Sequence, residues 1–73
     1  MYLRRLYDLR EDHDLKQKAV AEYLEIQPNV YRRYEKGIRN VPVEILVKLA
    51  DLYEVSTDYL LGRTDDPTPP RRT

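Results

Sequence analysis

One face of a predicted helix carries side chains that can recognise the edges of base pairs. Its members are an amide and three cations, at Asn29, Arg32, Arg33 and Lys36. At about 100° per residue these four fall on one side of the helix, and Tyr31 and Tyr34 fall on the other, as core residues would. Arginine matches guanine and asparagine matches adenine in a major groove wide enough to admit a helix. The spacing therefore favours the reading of DNA, and a solvated basic face is the alternative.

A second helix precedes this face at a short distance. Residues 17–24 place Val20, Ala21 and Leu24 at helical spacing. A turn of about three residues then leads to Pro28, whose fixed φ suits the first position of a helix, and Gly37 can end that helix in a left-handed conformation. Two helices joined by so short a turn, the second with a basic outer face, predict a helix-turn-helix.

Two lysines flank the start of the earlier helix. There Lys16 and Lys18 oppose the helix dipole, at a cost of about a few tenths of a kcal/mol each. A bound phosphate would make the free-energy contribution of the two lysines favourable, because it would meet backbone N–H groups, the Gln17 amide and both ammonium groups together. We predict a phosphate site at these three residues, and two solvated lysines are the alternative.

Arg10 faces the interior of the predicted fold. On the wheel of the first helix it lies between Leu3 and Leu6. A buried guanidinium needs an anionic partner, and the simplest one is Glu35, on the border of the inner face of the third helix. We predict an ion pair between Arg10 and Glu35. The alternative is an arginine whose head group extends into solvent.

Prolines and glycines divide the chain into five predicted helices and a tail. The helical segments are 2–12, 17–24, 28–36, 43–53 and the stretch from the capping Ser56 to Gly62. The apolar stripe of the first comprises Tyr2, Leu3, Leu6 and Leu9. Residues 63–73 have three prolines and no large apolar side chain, so a mobile tail is expected. The sequence predicts one all-α domain at residues 1–62 and a flexible tail at 63–73.

The composition limits the other classes of protein. The chain has 73 residues and no cysteine, so it is a single small domain without disulfides or thiolate metal sites. No apolar run approaches the roughly 20 residues of a membrane span, and the N-terminus lacks the features of a secretory signal, so we expect a cytoplasmic location. Net charge is zero, yet residues 16–40 carry six basic and three acidic groups, a local charge of plus three.

An enzyme is not expected. The single histidine, His13, lies in a charged loop, and without a cysteine it cannot complete a nucleophile and base. The acidic residues are scattered and show no spacing of metal ligands. We predict neither catalytic residues nor a bound metal or cofactor.

Residues 3–62 resemble the helix-turn-helix domain of the Cro/C1-type, or XRE-like, family of phage and bacterial repressors. The stretches that carry the resemblance are LYDLRE (6–11), LKQKAVAEYLEI (15–26), YRRYEKG (31–37) and VPVEILVKLADLYEVSTDYLLG (41–62). It implies a five-helix, lambda-repressor-like bundle with double-stranded DNA as partner. A chain of this length leaves no room for a ligand-binding domain, so no small-molecule ligand is expected. The resemblance also implies a set of DNA-facing positions: Pro28, Asn29, Arg32 and Arg33 towards bases or adjacent backbone, and Gln17, Lys36, Arg39 and Asn40 towards phosphates.

Three positions depart from the family pattern. Glu25 stands where the turn often has glycine, so a left-handed conformation there would carry strain of about 1 kcal/mol. Lys16 replaces the usual hydroxyl cap, and Pro28 replaces a residue that often reads a base. We therefore expect Asn29, Arg32 and Arg33 to carry base recognition.

The function expected from these features is a repressor-like transcriptional regulator that binds an operator as a homodimer. Apolar residues near the C-terminal end exceed what one small core can cover: Val43, Val47, Tyr59, Leu60 and Leu61. An exposed remainder would favour self-association, and complete burial within the monomer is the alternative. The alternative function is a protein-interaction module, such as an antitoxin-like partner, on the same fold.

Overall fold

The chain folds into five helices. A computed structural model describes residues 2–69, and in that range it contains helices, turns and loops with no strand. The helices are α1 (Arg4–Asp12), α2 (Gln17–Leu24), α3 (Pro28–Glu35), α4 (Val43–Tyr53) and α5 (Thr57–Leu60). This confirms the prediction of an all-α, five-helix bundle. None of these helices is long and apolar enough to cross a membrane.

Local chemistry accounts for several helix ends. The Ser56 hydroxyl accepts a 3.0 Å hydrogen bond from the backbone N–H of Tyr59 and so caps α5, as predicted. Gly37 and Gly62, both at φ 76°, take the left-handed conformation just beyond α3 and α5. Glu25 ends α2 in the same region at φ 58°, which is the strained conformation expected at this position.

The core is a continuous cluster contributed by every helix. Its buried members are Leu3, Leu6, Val20, Ala21, Leu24, Tyr31, Tyr34, Val41, Leu46, Leu49, Ala50, Tyr53, Val55 and Leu60. Two predicted placements are corrected by this packing. Tyr2 was expected in the stripe of the first helix, but it precedes α1 and is 62% exposed. Leu60 belongs to the apolar set from which an exposed remainder is expected, but it is 1% exposed because it closes the core from α5, so it is not part of that remainder.

Residues 63–69 make contacts with the helices that their composition did not predict. The Arg5 guanidinium donates to the carbonyls of Tyr59 and Thr64 and pairs with Asp65 at 2.7 Å. The backbone N–H of Ser56 donates to the carbonyl of Pro67 at 3.1 Å. This part of the predicted tail is therefore attached to α1 and α5. The rest of it, residues 70–73, lies outside the described range.

Candidate nucleic-acid interface

The two faces of α3 differ sharply in exposure. Tyr31 and Tyr34 are 0% and 4% exposed and pack into the core. The side chains predicted to face bases are all exposed, namely Pro28, Asn29, Arg32 and Arg33. Because the tyrosines anchor one side of α3, the opposite side presents an amide and two guanidinium groups to solvent, and these are the donors and acceptors that base edges match.

Asn29 and Arg32 form a contact within this exposed face. The Arg32 Nη2 atom donates to the Oδ1 atom of Asn29 at 3.2 Å, across one turn of α3. The bond links the two exposed side chains on the same face of α3. It also leaves the amide nitrogen of Asn29 free of this contact and available as a donor.

The turn between α2 and α3 is fixed by backbone hydrogen bonds. The N–H of Ile26 donates to the carbonyl of Ala21 at 3.0 Å, across the left-handed residue Glu25. Pro28 occupies the first turn of α3, as predicted, and Gln27 before it makes no side-chain cap bond. The turn thereby holds the start of α3 at the surface beside α2.

The start of α2 is basic and carries no side-chain cap. Lys16 is its N-cap residue and Lys18 follows within the first turn, and both are exposed. Gln17 is half-buried, and its Nε2 atom donates to the Oε1 atom of Glu35 at 3.3 Å. The helix end combines a positive dipole with two ammonium groups, which is the arrangement that favours an anion.

The segment after α3 turns sharply and keeps its polar residues outside. The N–H groups of Ile38 and Arg39 both donate to the carbonyl of Arg33, at 3.0 and 3.3 Å, and the positive φ of Gly37 makes that geometry accessible. The Arg39 guanidinium lies 5.9 Å from the centroid of the Tyr34 ring. Lys36, Arg39 and Asn40 are all exposed.

Arg10 and Glu35 meet in the interior. The Nε and Nη2 atoms of Arg10 donate to the two oxygens of Glu35, each at 2.9 Å, and the two side chains are only 11% and 6% exposed. This is the pair predicted from the helical wheels, in its bidentate form. The bonds to Glu35 raise the pKa of Arg10. Burial acts to raise the pKa of Glu35, but the hydrogen bonds it accepts, led by those from Arg10, outweigh burial and lower it.

Two tyrosine hydroxyls lie buried near this pair. Among the described residues the Oη atoms of Tyr31 and Tyr53 form no hydrogen bond of standard geometry. Burial, and next the negative charge of Glu35, raise the pKa of Tyr31 and bring the pKa of Tyr53 to about 12. Both phenols are therefore neutral at physiological pH.

Two contacts of the ion pair were missed by sequence reasoning. They are the bond from Gln17 to Glu35 and a 2.9 Å bond from the Nη1 atom of Arg10 to the carbonyl of Leu15. Local patterns carry no signal for either, because the first depends on where α3 places Glu35 and the second on how the chain turns between α1 and α2. Within residues 2–69 no group of three His, Cys, Asp or Glu side chains could hold a metal ion.

Comparisons with known proteins agree with this geometry. Residues 6–60 match the model of a family described as Helix-turn-helix. Over 69 residues the chain is 46% identical to the uncharacterized HTH-type transcriptional regulator YobD of Bacillus subtilis (strain 168), covering 94% of this chain and 62% of that protein. It is 42% identical to the HTH-type transcriptional regulator ImmR of the same strain over 62 residues, 85% of this chain and 49% of ImmR.

A third relative comes from another organism. The cryptic phage CTXphi transcriptional repressor RstR of Vibrio cholerae is 38% identical over 65 residues, which cover 89% of this chain and 59% of RstR. The chain thus spans about half to three fifths of the length of the relatives it matches. No solved structure is significantly similar to it.

Proposed function

The chain belongs to the helix-turn-helix family, and from that premise we propose that it is a sequence-specific DNA-binding transcriptional regulator. In this proposal residues 1–62 bind double-stranded DNA and α3 enters the major groove. Asn29, Arg32 and Arg33 read base edges, with Pro28 beside them against the groove wall. The observation that supports it most directly is the burial of Tyr31 and Tyr34 opposite the exposed guanidinium groups.

Phosphate contacts on either side of α3 complete the interface. The proposed phosphate-binding residues are Lys16, Gln17 and Lys18 at the start of α2, and Lys36, Arg39 and Asn40 at and after the end of α3. Five of the six are exposed and Gln17 is half-buried, and four of them are cations. Such contacts fix the register of a protein on the duplex, whereas the base contacts select the sequence.

The mode of action we propose is the occupation of an operator, with no catalytic step, in the cytoplasm. The similarity to RstR, a transcriptional repressor, supports the repressor-like assignment. Since the chain spans only part of each relative, only DNA binding by this domain is proposed for it, and no activity of the remainder of those proteins.

We further propose that the chain binds DNA as a homodimer through its C-terminal helices. Val43 and Val47, one turn apart on α4, are 73% and 45% exposed, while Tyr59 and Leu61 are half-buried. A second copy packing on this surface would remove two valines from water and pair two α3 helices for two half-sites. Leu60 has no part in the surface, because it is buried in the monomer.

One surface favours the alternative function, a protein-interaction module. Tyr2 and Ile38, 62% and 72% exposed, line the same cleft as Tyr7, so this side of the domain offers apolar contacts to a protein partner. The two functions differ in salt dependence. Neutralisation of DNA phosphates gives a slope of roughly −0.9 per contact in log affinity against log salt concentration, whereas an apolar protein contact gives almost none.

Selection from a pool of random duplex DNA tests the proposal. A regulator of this kind enriches one short sequence, and its affinity for that sequence falls with rising salt concentration and exceeds its affinity for scrambled duplexes by about 10³-fold or more. A pool that stays unenriched after repeated rounds, together with salt-independent binding, would contradict it and favour the protein-interaction module.

A further inference from the structure

The buried ion pair reaches the start of α2 by two separate bonds. Arg10 donates from Nη1 to the carbonyl of Leu15 at 2.9 Å, two residues before α2 begins. Glu35 accepts from the Nε2 atom of Gln17, the first residue of α2, at 3.3 Å. The pair therefore holds both the backbone that leads into α2 and the first side chain of α2.

The bond from Gln17 determines which way its amide is turned. A carboxylate only accepts hydrogen bonds, so the NH₂ group of Gln17 faces Glu35 and its carbonyl oxygen does not. One of the two N–H bonds is directed at Glu35, and the other is left as a donor directed away from the carboxylate. Without this partner, no bond shown here would decide whether the amide presents its oxygen or its nitrogen.

This amide lies in the wall of an open cleft. The cleft has a volume of about 540 Å³, and the ion pair, Gln17 and Lys36 all line it. Tyr2, Tyr7 and Ile38 line the same cleft, and the groups in it, besides the ion pair, that can bind a DNA phosphate are the Gln17 amide N–H and the Lys36 ammonium group. The negative charge of Glu35 does not repel the phosphate strongly, because the bidentate Arg10 neutralises that charge at 2.9 Å.

We propose that the Arg10–Glu35 pair positions Gln17 as a phosphate donor, with Glu35 acting on DNA only through Gln17. The inference rests on the proposed function and deepens it. It assigns to a buried ion pair a role in DNA affinity as well as in folding. The pair carries equal and opposite charges, so its removal as a unit leaves the net charge of the protein unchanged.

A double-mutant cycle on DNA affinity tests the proposal. One change replaces both partners at once, Arg10→Met with Glu35→Met, because apolar residues of similar volume commonly replace a buried pair without loss of the fold. The other change is Gln17→Ala. The probe is a duplex of arbitrary sequence at low salt concentration, since phosphate contacts need no operator, and thermal unfolding verifies that each variant is folded at the assay temperature.

The expected result is coupling. Gln17→Ala weakens binding about tenfold, as expected for a hydrogen bond to a charged group, and the double methionine change weakens it nearly as much. In the Gln17→Ala background the methionine change has little further effect. Lys36→Ala serves as the matched control, because Lys36 lines the same cleft without a bond to the pair, so its effect is expected to add to that of the methionine change.

Equal effects of the methionine change with and without Gln17 would overturn the positioning role. Failure of the wild type to bind any duplex would instead overturn the proposed function, so the two outcomes are distinct. If the methionine variant does not fold, the hydrogen-exchange rates of the side-chain amides in the wild type test the proposal instead. The chain has only two glutamines, Gln17 and the exposed Gln27. Slower hydrogen exchange of the Gln17 amide than of the Gln27 amide supports the proposal, and equal rates overturn it.

Discussion

Arg10 and Glu35 are joined by two 2.9 Å hydrogen bonds that tie α1 to the end of α3. The side chains are 25 residues apart in sequence, and both are almost wholly removed from water. Because α3 is the proposed reading helix, the pair fixes its orientation relative to the body of the domain. Loss of one partner would leave the other charge buried alone, and that consequence can be measured.

We expect Glu35→Gln to lower the free energy of unfolding by about 3 kcal/mol at neutral pH, because it leaves Arg10 without its anion. The folded pKa of Glu35 is lowered from its ordinary value of 4.5. The contribution of the Glu35 carboxylate to the free energy of unfolding is therefore complete above pH 4.5 and is lost as the pH falls through the lower, folded pKa. Denaturation of both proteins across this range is expected to show the difference between them shrinking at acid pH. The exposed Glu22→Gln is the control, and a gap of constant size would contradict the assignment.

Arg33→Ala and Lys36→Ala are expected to weaken DNA binding in different ways. Arg33 lies on the exposed face of α3, so its loss is expected to cost about 1 to 3 kcal/mol and to relax the preference at one base pair. Lys36 is assigned to a phosphate, so its loss weakens binding to all sequences and reduces the salt slope by about 1. Affinities for the selected duplex and its single-base variants distinguish the two. Uniform weakening by both changes would argue against base reading by Arg33.

Glu25→Gly is expected to stabilise the domain. Glu25 has a φ of 58°, a conformation that costs a side-chain-bearing residue about 1 to 2 kcal/mol, whereas glycine adds only about 0.5 to 1 kcal/mol of unfolded-state entropy. The strain is the larger effect, so a gain of about 0.5 kcal/mol should appear in thermal unfolding without DNA. Gly62→Ala is the converse control. At φ 76°, with open space around the new methyl group, it should destabilise the domain through strain alone.

Val43→Lys and Val47→Lys, introduced together, are expected to abolish self-association. The two valines form the exposed apolar part of α4, so two lysines would place four like charges in the symmetric interface. Sedimentation at increasing concentration measures the effect. Tyr23→Lys changes a similarly exposed apolar residue on α2 and is expected to leave association intact. A wild type that stays monomeric at the highest concentration would remove this surface from the proposal.

Arg5→Lys is expected to loosen the segment that follows α5. Arg5 lies 4.0 Å from the Tyr59 ring centroid and bonds to Tyr59, Thr64 and Asp65, and lysine lacks the planar fork that makes these contacts together. Hydrogen exchange at the amide of Ser56, which donates to Pro67, should quicken. The neighbouring Arg4→Lys is the control, since the Arg4 side chain is 80% exposed and its ion pair is with Asp8 on the same helix. Unchanged exchange in Arg5→Lys would show that the segment is held by other contacts.

Much of the fold and part of the site follow from local chemistry. The helical repeat of 3.6 residues per turn puts Tyr31 and Tyr34 on one face of α3 and Arg32 and Arg33 on the other. This division holds whatever α3 packs against. Caps and breakers such as Ser56 and Gly37 act on their own backbone, so helix ends are readable. The Arg10–Glu35 pair was predictable for a related reason, since a charge within an apolar stripe requires a partner of opposite sign.

The remaining features depend on how the helices cross, which no local pattern encodes. Leu60 is buried while Val43 and Val47 stay exposed, although all three are apolar and lie between residues 43 and 60. Gln17 meets Glu35 across 18 residues, and Arg5 meets Asp65 across 60. Such contacts form only after packing brings distant segments together. Periodicity therefore decides which face of a helix turns inward, whereas the packed bundle decides which inward and outward groups touch.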